Sequence, residues 1–186
     1  MIKIKITPEM LSRALARDIA AGPAYRGASI KEGKGRYYGF LGEEIVAQTV
    51  PTSILENTKN YDLRIGNATF DVKTKTRKDA PKPFWDATVD DSANHQRPDH
   101  YVFVQILAPQ FLIKKSVDEI RNYEYSEAWI LGYMPRSEFY EKRRHFNAGD
   151  QDPSNGITYR DGISLVSIGQ LHDILRLINA LKKRVA

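Results

Sequence analysis

Apolar and polar positions alternate most sharply over residues 61–76, YDLRIGNATFDVKTKT, where two short runs flank Gly66-Asn67. That dipeptide suits a two-residue hairpin loop. With those residues as the loop, Ile65 faces Ala68, Arg64 faces Thr69, Leu63 faces Phe70 and Asp62 faces Asp71. Alternation then puts Tyr61, Leu63, Ile65, Ala68, Phe70 and Val72 on a core-facing side. Asp62, Arg64, Thr69, Asp71 and Lys73 share the other side.

The rest of the chain reads as alternating helices and strands. Ile2, Ile4 and Ile6 alternate with lysines as a short strand or extended arm. Thr7-Pro8 starts a helix with Thr7 as N-cap; Leu11, Ala14, Leu15 and Ile19 form its stripe, and Gly22-Pro23 stops it. Residues 24–35 are a glycine-rich loop carrying Arg26, Lys31 and Lys34, either a solvated surface or a basic loop for DNA phosphates. A helix over 37–49 has Phe40, Val46, Ala47 and Val50 in one stripe, with Glu43 in its middle and Glu44 at its edge. Gly42 lies beside that stripe and lets the backbone approach a neighbour. Pro51 ends the helix, and 52–55 form a weak strand.

Beyond the hairpin, strands are expected over 84–89, 101–107, 128–134 and 163–168, and helices over 116–123, 135–146 and 170–185. The run 101–107 is nearly all apolar, as a central strand requires, with Gln105 as the exception: a satisfied core amide or a weak site candidate. Trp85 reads as core, with base stacking as the alternative, and His95 and His100 as loop histidines. Lys142, Arg143, Arg144 and His145 form a solvated basic face or a DNA contact. In the closing helix Leu171, Ile174, Leu175, Ile178 and Leu181 face inward, while Lys182, Lys183 and Arg184 suit its negative dipole end.

Bulk properties narrow the class only a little. A chain of 186 residues with 41% apolar content supports one domain with a real core, and no linker-like stretch divides it. The net charge of +5 fits a polyanionic partner. Absence of cysteine excludes disulfides and thiolate metal sites, and no apolar run approaches the ~18 residues of a membrane span. The amino terminus alternates instead of forming a signal-like apolar stretch, so the cytoplasm is expected.

The polar side of the hairpin carries the chemistry. Directly opposed residues have Cβ atoms roughly 5 Å apart, where two carboxylates repel by about 3 kcal/mol at an effective dielectric of about 20. The pair Asp62/Asp71 is tolerated if one acid is protonated, if the two splay into water, or if a cation lies between them. Lys73 offers one positive charge, and a divalent ion offers more. The pair therefore reads as a metal site, with two solvated acids as the plain alternative. Glu43 adds a third carboxylate on a core-facing helix side, costly there unless paired or metal-bound.

Asp62 followed by Asp71-Val72-Lys73, with Gly39-x-x-Gly42-Glu43 on the preceding helix, resembles the PD-(D/E)xK nuclease superfamily. Tyr61 stands where that motif has proline. The resemblance implies an α/β fold, a restriction-endonuclease-like central mixed β-sheet flanked by helices, in a single domain. It also implies a Mg²⁺-dependent DNA endonuclease of prokaryotic or phage type, with Mn²⁺ as a substitute ion. Asp62, Asp71 and the Val72 carbonyl would hold the metal, Glu43 in preference to Glu44 would complete the site, and Lys73 would orient the attacking water. Lys75, Arg77, Lys78 and Lys82 become candidate DNA phosphate contacts, with an exposed, aggregation-guarding strand edge as their alternative reading. RNA stays open as a substrate and a homodimer as an assembly. The competing function is a non-catalytic DNA-binding or assembly module on the same scaffold. One departure is plain: the sequence shows no helix between Lys73 and Tyr101, where a typical core of the family has one.

Overall fold

The structure, a computed structural model, describes residues 1–22, 35–56, 58–90 and 96–185, with side chains up to residue 180. Arg26, Lys31, Lys34, His95 and the side chains of Leu181, Lys182, Lys183 and Arg184 lie outside the described residues. Ten elements place the functional region. They are β1 (Ile2–Lys5), α1 (Pro8–Ala20), α2 (Gly35–Thr49), β2 (Ser53–Leu55), β3 (Leu63–Ile65), β4 (Ala68–Arg77), β5 (Asp86–Asp90), β6 (His100–Leu107), α3 (Val117–Arg121) and β7 (Glu127–Pro135). The chain then closes with α4 (Arg136–Lys142), β8 (Arg144–Phe146), β9 (Ile163–Ser167) and α5 (Ile174–Val185).

This is a mixed α/β architecture. Six strands form one sheet in the order β1-β7-β6-β4-β3-β2, and a second sheet has the order β5-β9-β8. Within the larger sheet only β4 and β6 are parallel neighbours, in register from Phe70 opposite His100 to Arg77 opposite Leu107. Strand alternation gives that sheet a core on each face. Val72, Val102, Val104 and Ile130 pack with Leu41 and Ile45 of α2, while Tyr101, Phe103 and Leu131 pack with Ala87, Val89 and Val166 of the smaller sheet. Among the described residues, no helix is long and apolar enough to cross a membrane.

The hairpin forms as the pattern requires. Leu63 pairs with Phe70, Arg64 with Thr69 and Ile65 with Ala68, and Gly66 turns the chain at φ +61°. A positive φ at the first loop position is what a type II′ turn needs and what a residue without Cβ supplies most cheaply. Gly42 meets the second steric demand. A Cβ built there would lie 1.9 Å from Thr74 Oγ1, so α2 reaches β4 only because the methyl is missing.

Several boundaries differ from the sequence reading. The inner side of α1 is Met10, Ala14 and Asp18, while Ile19 is 62% exposed. Asp18 turns inward because Arg36 and Arg121 both pair with it, which ties α1 to α2 and α3. The helix expected over 135–146 stops at Lys142, and Arg144–Phe146 pairs with β9 instead. Its basic run is held internally: Lys142 on Glu138, Arg143 on Ser164, Arg144 on Asp86 and Asp152, and His145 on Ser164. His100 is not a loop residue but opens β6, its ring stacked on Phe70 at 4.8 Å. The closing helix begins at Ile174, after a short turn at Ile168–Gln170.

Replacing Gly42 with Ala should cost about 1–3 kcal/mol, the usual price of overpacking a tight contact. Urea denaturation should show it, and adding Thr74→Ala should recover part of the loss, because the two residues share one gap. An unchanged midpoint for the single variant would mean that α2 does not depend on that close approach.

Candidate active site

Four elements deliver charge to one place. Glu43 comes from α2, Asp62 from the bend ahead of β3, Asp71 and Lys73 from the start of β4, and Arg17 from α1. Strand β3 begins only at Leu63 whereas β4 continues past Phe70 to Arg77, so the regular ladder stops one step short of an Asp62–Asp71 pair. The Asp62 amide donates to the Phe70 carbonyl at 2.9 Å, and Asp62 Oδ2 accepts from the Val72 amide at 2.7 Å. That amide lies past the end of its partner strand, and the carboxylate satisfies it in place of a ladder bond.

The acids nevertheless remain together. The Asp62 carboxyl is pushed up to about 9 by burial, by the charges of Glu43 and Asp71, and by hydrogen bonding to Asp71. Burial also raises Glu43, against the opposing pull of Arg17. Asp71 is buried, and Lys73 Nζ lies 2.7 Å from its Oδ2 without the alignment of a hydrogen bond. The ammonium also donates to Gln96 Oε1 at 3.0 Å. Glu43 forms an ion pair with Arg17, whose other nitrogen lies 3.3 Å from Glu44 Oε1. Both glutamates are buried, so helix position alone does not choose between them.

Of the three ways to tolerate opposed acids, two are favoured here: the raised Asp62 carboxyl favours a proton, and cations pair with Asp71 and Glu43. Among the described residues, no group of three or more His, Cys, Asp or Glu is arranged to hold a metal ion. In this arrangement Arg17 holds Glu43 and the Val72 amide holds Asp62. The donor chemistry itself fits a hard divalent cation, which prefers oxygen. Asp71 Oδ2 is a buried carboxylate oxygen with no hydrogen-bond partner, and the raised Asp62 carboxyl favours a proton that such a cation would displace.

The four candidate phosphate contacts part company. Lys75 and Arg77 are half-buried under β5, lining a narrow gap with Asp86, Ala87 and Thr88. Arg77 donates to the Asp86 carbonyl at 3.1 Å, and its guanidinium stacks 4.4 Å from the Trp85 ring centroid. Lys78 and Lys82 are exposed. Gln105 is buried, donating to the Asp79 carbonyl at 2.8 Å while its Oε1 has no partner.

Sequence reasoning missed Arg17 and Gln96. For Arg17 a signal existed: Met10, Ala14 and Arg17 follow helical spacing as well as the stripe through Leu11 and Leu15 does. No family model matches this chain, and no curated protein or solved structure matches it significantly.

An acid whose folded pKa is raised binds its proton more tightly in the folded state, so stability is fullest at low pH and is lost as pH rises toward 9. In chelator, urea midpoints from pH 5 to 9 should therefore fall, by up to about 1.4 kcal/mol per pH unit for one such group. Asp62→Asn should flatten that fall and be the more stable protein at pH 8. Parallel profiles for the two proteins would show that Asp62 is not the group responsible.

Proposed function

We propose that this chain is a metal-dependent DNA endonuclease that hydrolyses phosphodiester bonds, built on a restriction-endonuclease-like core. The observation that carries the reading is the convergence of Glu43, Asp62 and Asp71 beside Lys73, close enough for Glu43 and Asp71 to raise the Asp62 carboxyl. The order of elements agrees with it: a helix, the acidic hairpin, then a strand parallel to β4 and another antiparallel to that. Among the described residues, β5 stands between β4 and β6 where the family's typical core has a helix.

Asp62, Asp71 and the Val72 carbonyl would hold Mg²⁺ or Mn²⁺, with Glu43 completing the set once it leaves Arg17. Such an ion lowers the pKa of bound water and neutralises charge building on the phosphate. The chain's own groups do the rest. Asp62 would release its carboxyl proton to water on loading. Lys73 Nζ, already between Asp71 and Gln96, meets the negative charge of a phosphate oxygen and aligns the nucleophile. Arg17, released from Glu43, would stay beside the same centre, where it also pairs with Glu44.

The alternative, a non-catalytic DNA-binding or assembly module, takes Arg17 and Lys73 as permanent counter-ions of the acids. Cleavage separates the two readings. Purified protein should nick or linearise plasmid with Mg²⁺ or Mn²⁺ and stop on chelation. Lys73→Ala and Asp71→Asn should each lose at least about a hundredfold in rate, the scale set by removing one transition-state charge partner, with melting curves retained. Equal cutting by wild type and Lys73→Ala would reject the enzyme. Salt-sensitive DNA binding without cleavage would favour the module.

A further inference from the structure

A second feature lies at the other end of β4. Arg77 is six residues beyond Asp71, about 20 Å along an extended strand. There a cavity of about 670 Å³ opens beyond the carboxyl ends of β4 and β6, which are joined by the Ala108 amide donating to the Arg77 carbonyl at 2.9 Å. Its volume is in the range that holds a small organic ligand, and crevices at the carboxyl ends of parallel strands are where α/β sheets tend to bind them.

The lining has two chemistries. One part is apolar and aromatic, with Tyr38 from α2, Leu112 and Ile113 from the turn after β6, Ile120 from α3, and Trp85. Trp85 is held in place by the Arg77 guanidinium stacked on its ring. The other part is cationic: Arg77, Lys78 and Arg160 against the single acid Asp79. Lys78 and Arg160 have no ion-pair partner among the described residues, which leaves two positive charges uncompensated at the cavity. Ile113 is 68% exposed there, and Phe111 of the same turn and Phe84, next to Trp85 in the chain, are exposed as well.

An apolar, partly aromatic wall with uncompensated cations suits a ligand that joins a planar ring to a negative charge. We propose that this cavity binds a nucleobase together with its phosphate, as a site separate from the carboxylate cluster. The choice of a nucleotide over other anionic aromatics rests on the nuclease reading above; the preference for ring plus anion rests on the cavity alone. Base stacking on an aromatic and cation pairing with phosphate are the two forces that single-strand binders combine.

The test uses the full chain in chelator, with Trp129→Phe so that Trp85 is the sole tryptophan reporter. Deoxyadenosine monophosphate should change Trp85 fluorescence saturably, with deoxyadenosine and inorganic phosphate each at least about tenfold weaker, since each lacks one of the two contacts. Arg160→Ala and Ile113→Glu, both at exposed positions, should weaken the nucleotide about tenfold without shifting the melting curve. A 5′-phosphorylated thymidine hexamer is the second arm. Tighter binding than the mononucleotide assigns the cavity to a strand end, and equal or weaker binding assigns it to a free nucleotide. No saturable change at about 10 mM nucleotide, a response to phosphate alone as strong as to nucleotide, or unaltered binding by both variants overturns the proposal. Nucleotide binding by a protein that never cuts DNA would reject the nuclease and keep the cavity. Cutting by a protein that ignores the nucleotide would do the reverse.

Discussion

Three carboxyl groups brought out of water within reach of one another are the constraint that shapes the first half of this chain. Desolvation and mutual repulsion both disfavour ionising all three. The chain answers with a guanidinium on Glu43, an ammonium on Asp71 and a proton on Asp62. Each answer recruits an element. Arg17 requires α1 against α2, and α1 is fixed there by Asp18 between Arg36 and Arg121. Lys73 requires an extended β4, which β6 supports from Phe70 to Arg77. Groups paired this closely with cations are costly to leave unpaired, so the cluster is held as a unit.

Much of the hairpin was legible because two local rules agreed on it. Alternation fixed the faces, and a Gly-Asn loop fixed the register, leaving no second pairing that buries Leu63, Ile65 and Phe70 together. The close approach at Gly42 was legible for a similar reason, since a glycine beside an apolar helix stripe has few other uses. The inner side of α1 was not, because Asp18 is buried and Arg17 half-buried by partners distant in sequence. A window of hydropathy sees only charged residues there. Likewise Arg144–Phe146 extends a helical pattern from α4 but is drawn into a strand by β9, a tertiary contact that outweighs local preference. Among the described residues no helix lies between β4 and β6, and the pairing of Asp86–Asp90 with β9 was beyond local reasoning.

Strand β5 also changes what the basic residues of β4 can do. Lys73, Lys75 and Arg77 share one side of that strand, which on sequence alone suggests a continuous track. The smaller sheet lies across it, and Arg77 is turned to Trp85 and the Asp86 carbonyl. The strand thus has two chemically distinct ends, an acidic one beside α2 and a cationic, aromatic one at the cavity, separated by a covered middle.

The close seam between Gly42 and Thr74 has a wider meaning than local fit. Gly42 immediately precedes Glu43, and Thr74 immediately follows Lys73, so the contact between the glycine and the threonine is the gauge for the spacing of their neighbours. One absent methyl group thereby sets how far the helical acid stands from the strand-borne acid and ammonium. A chain that widened this seam would keep every charged side chain and still lose their common focus.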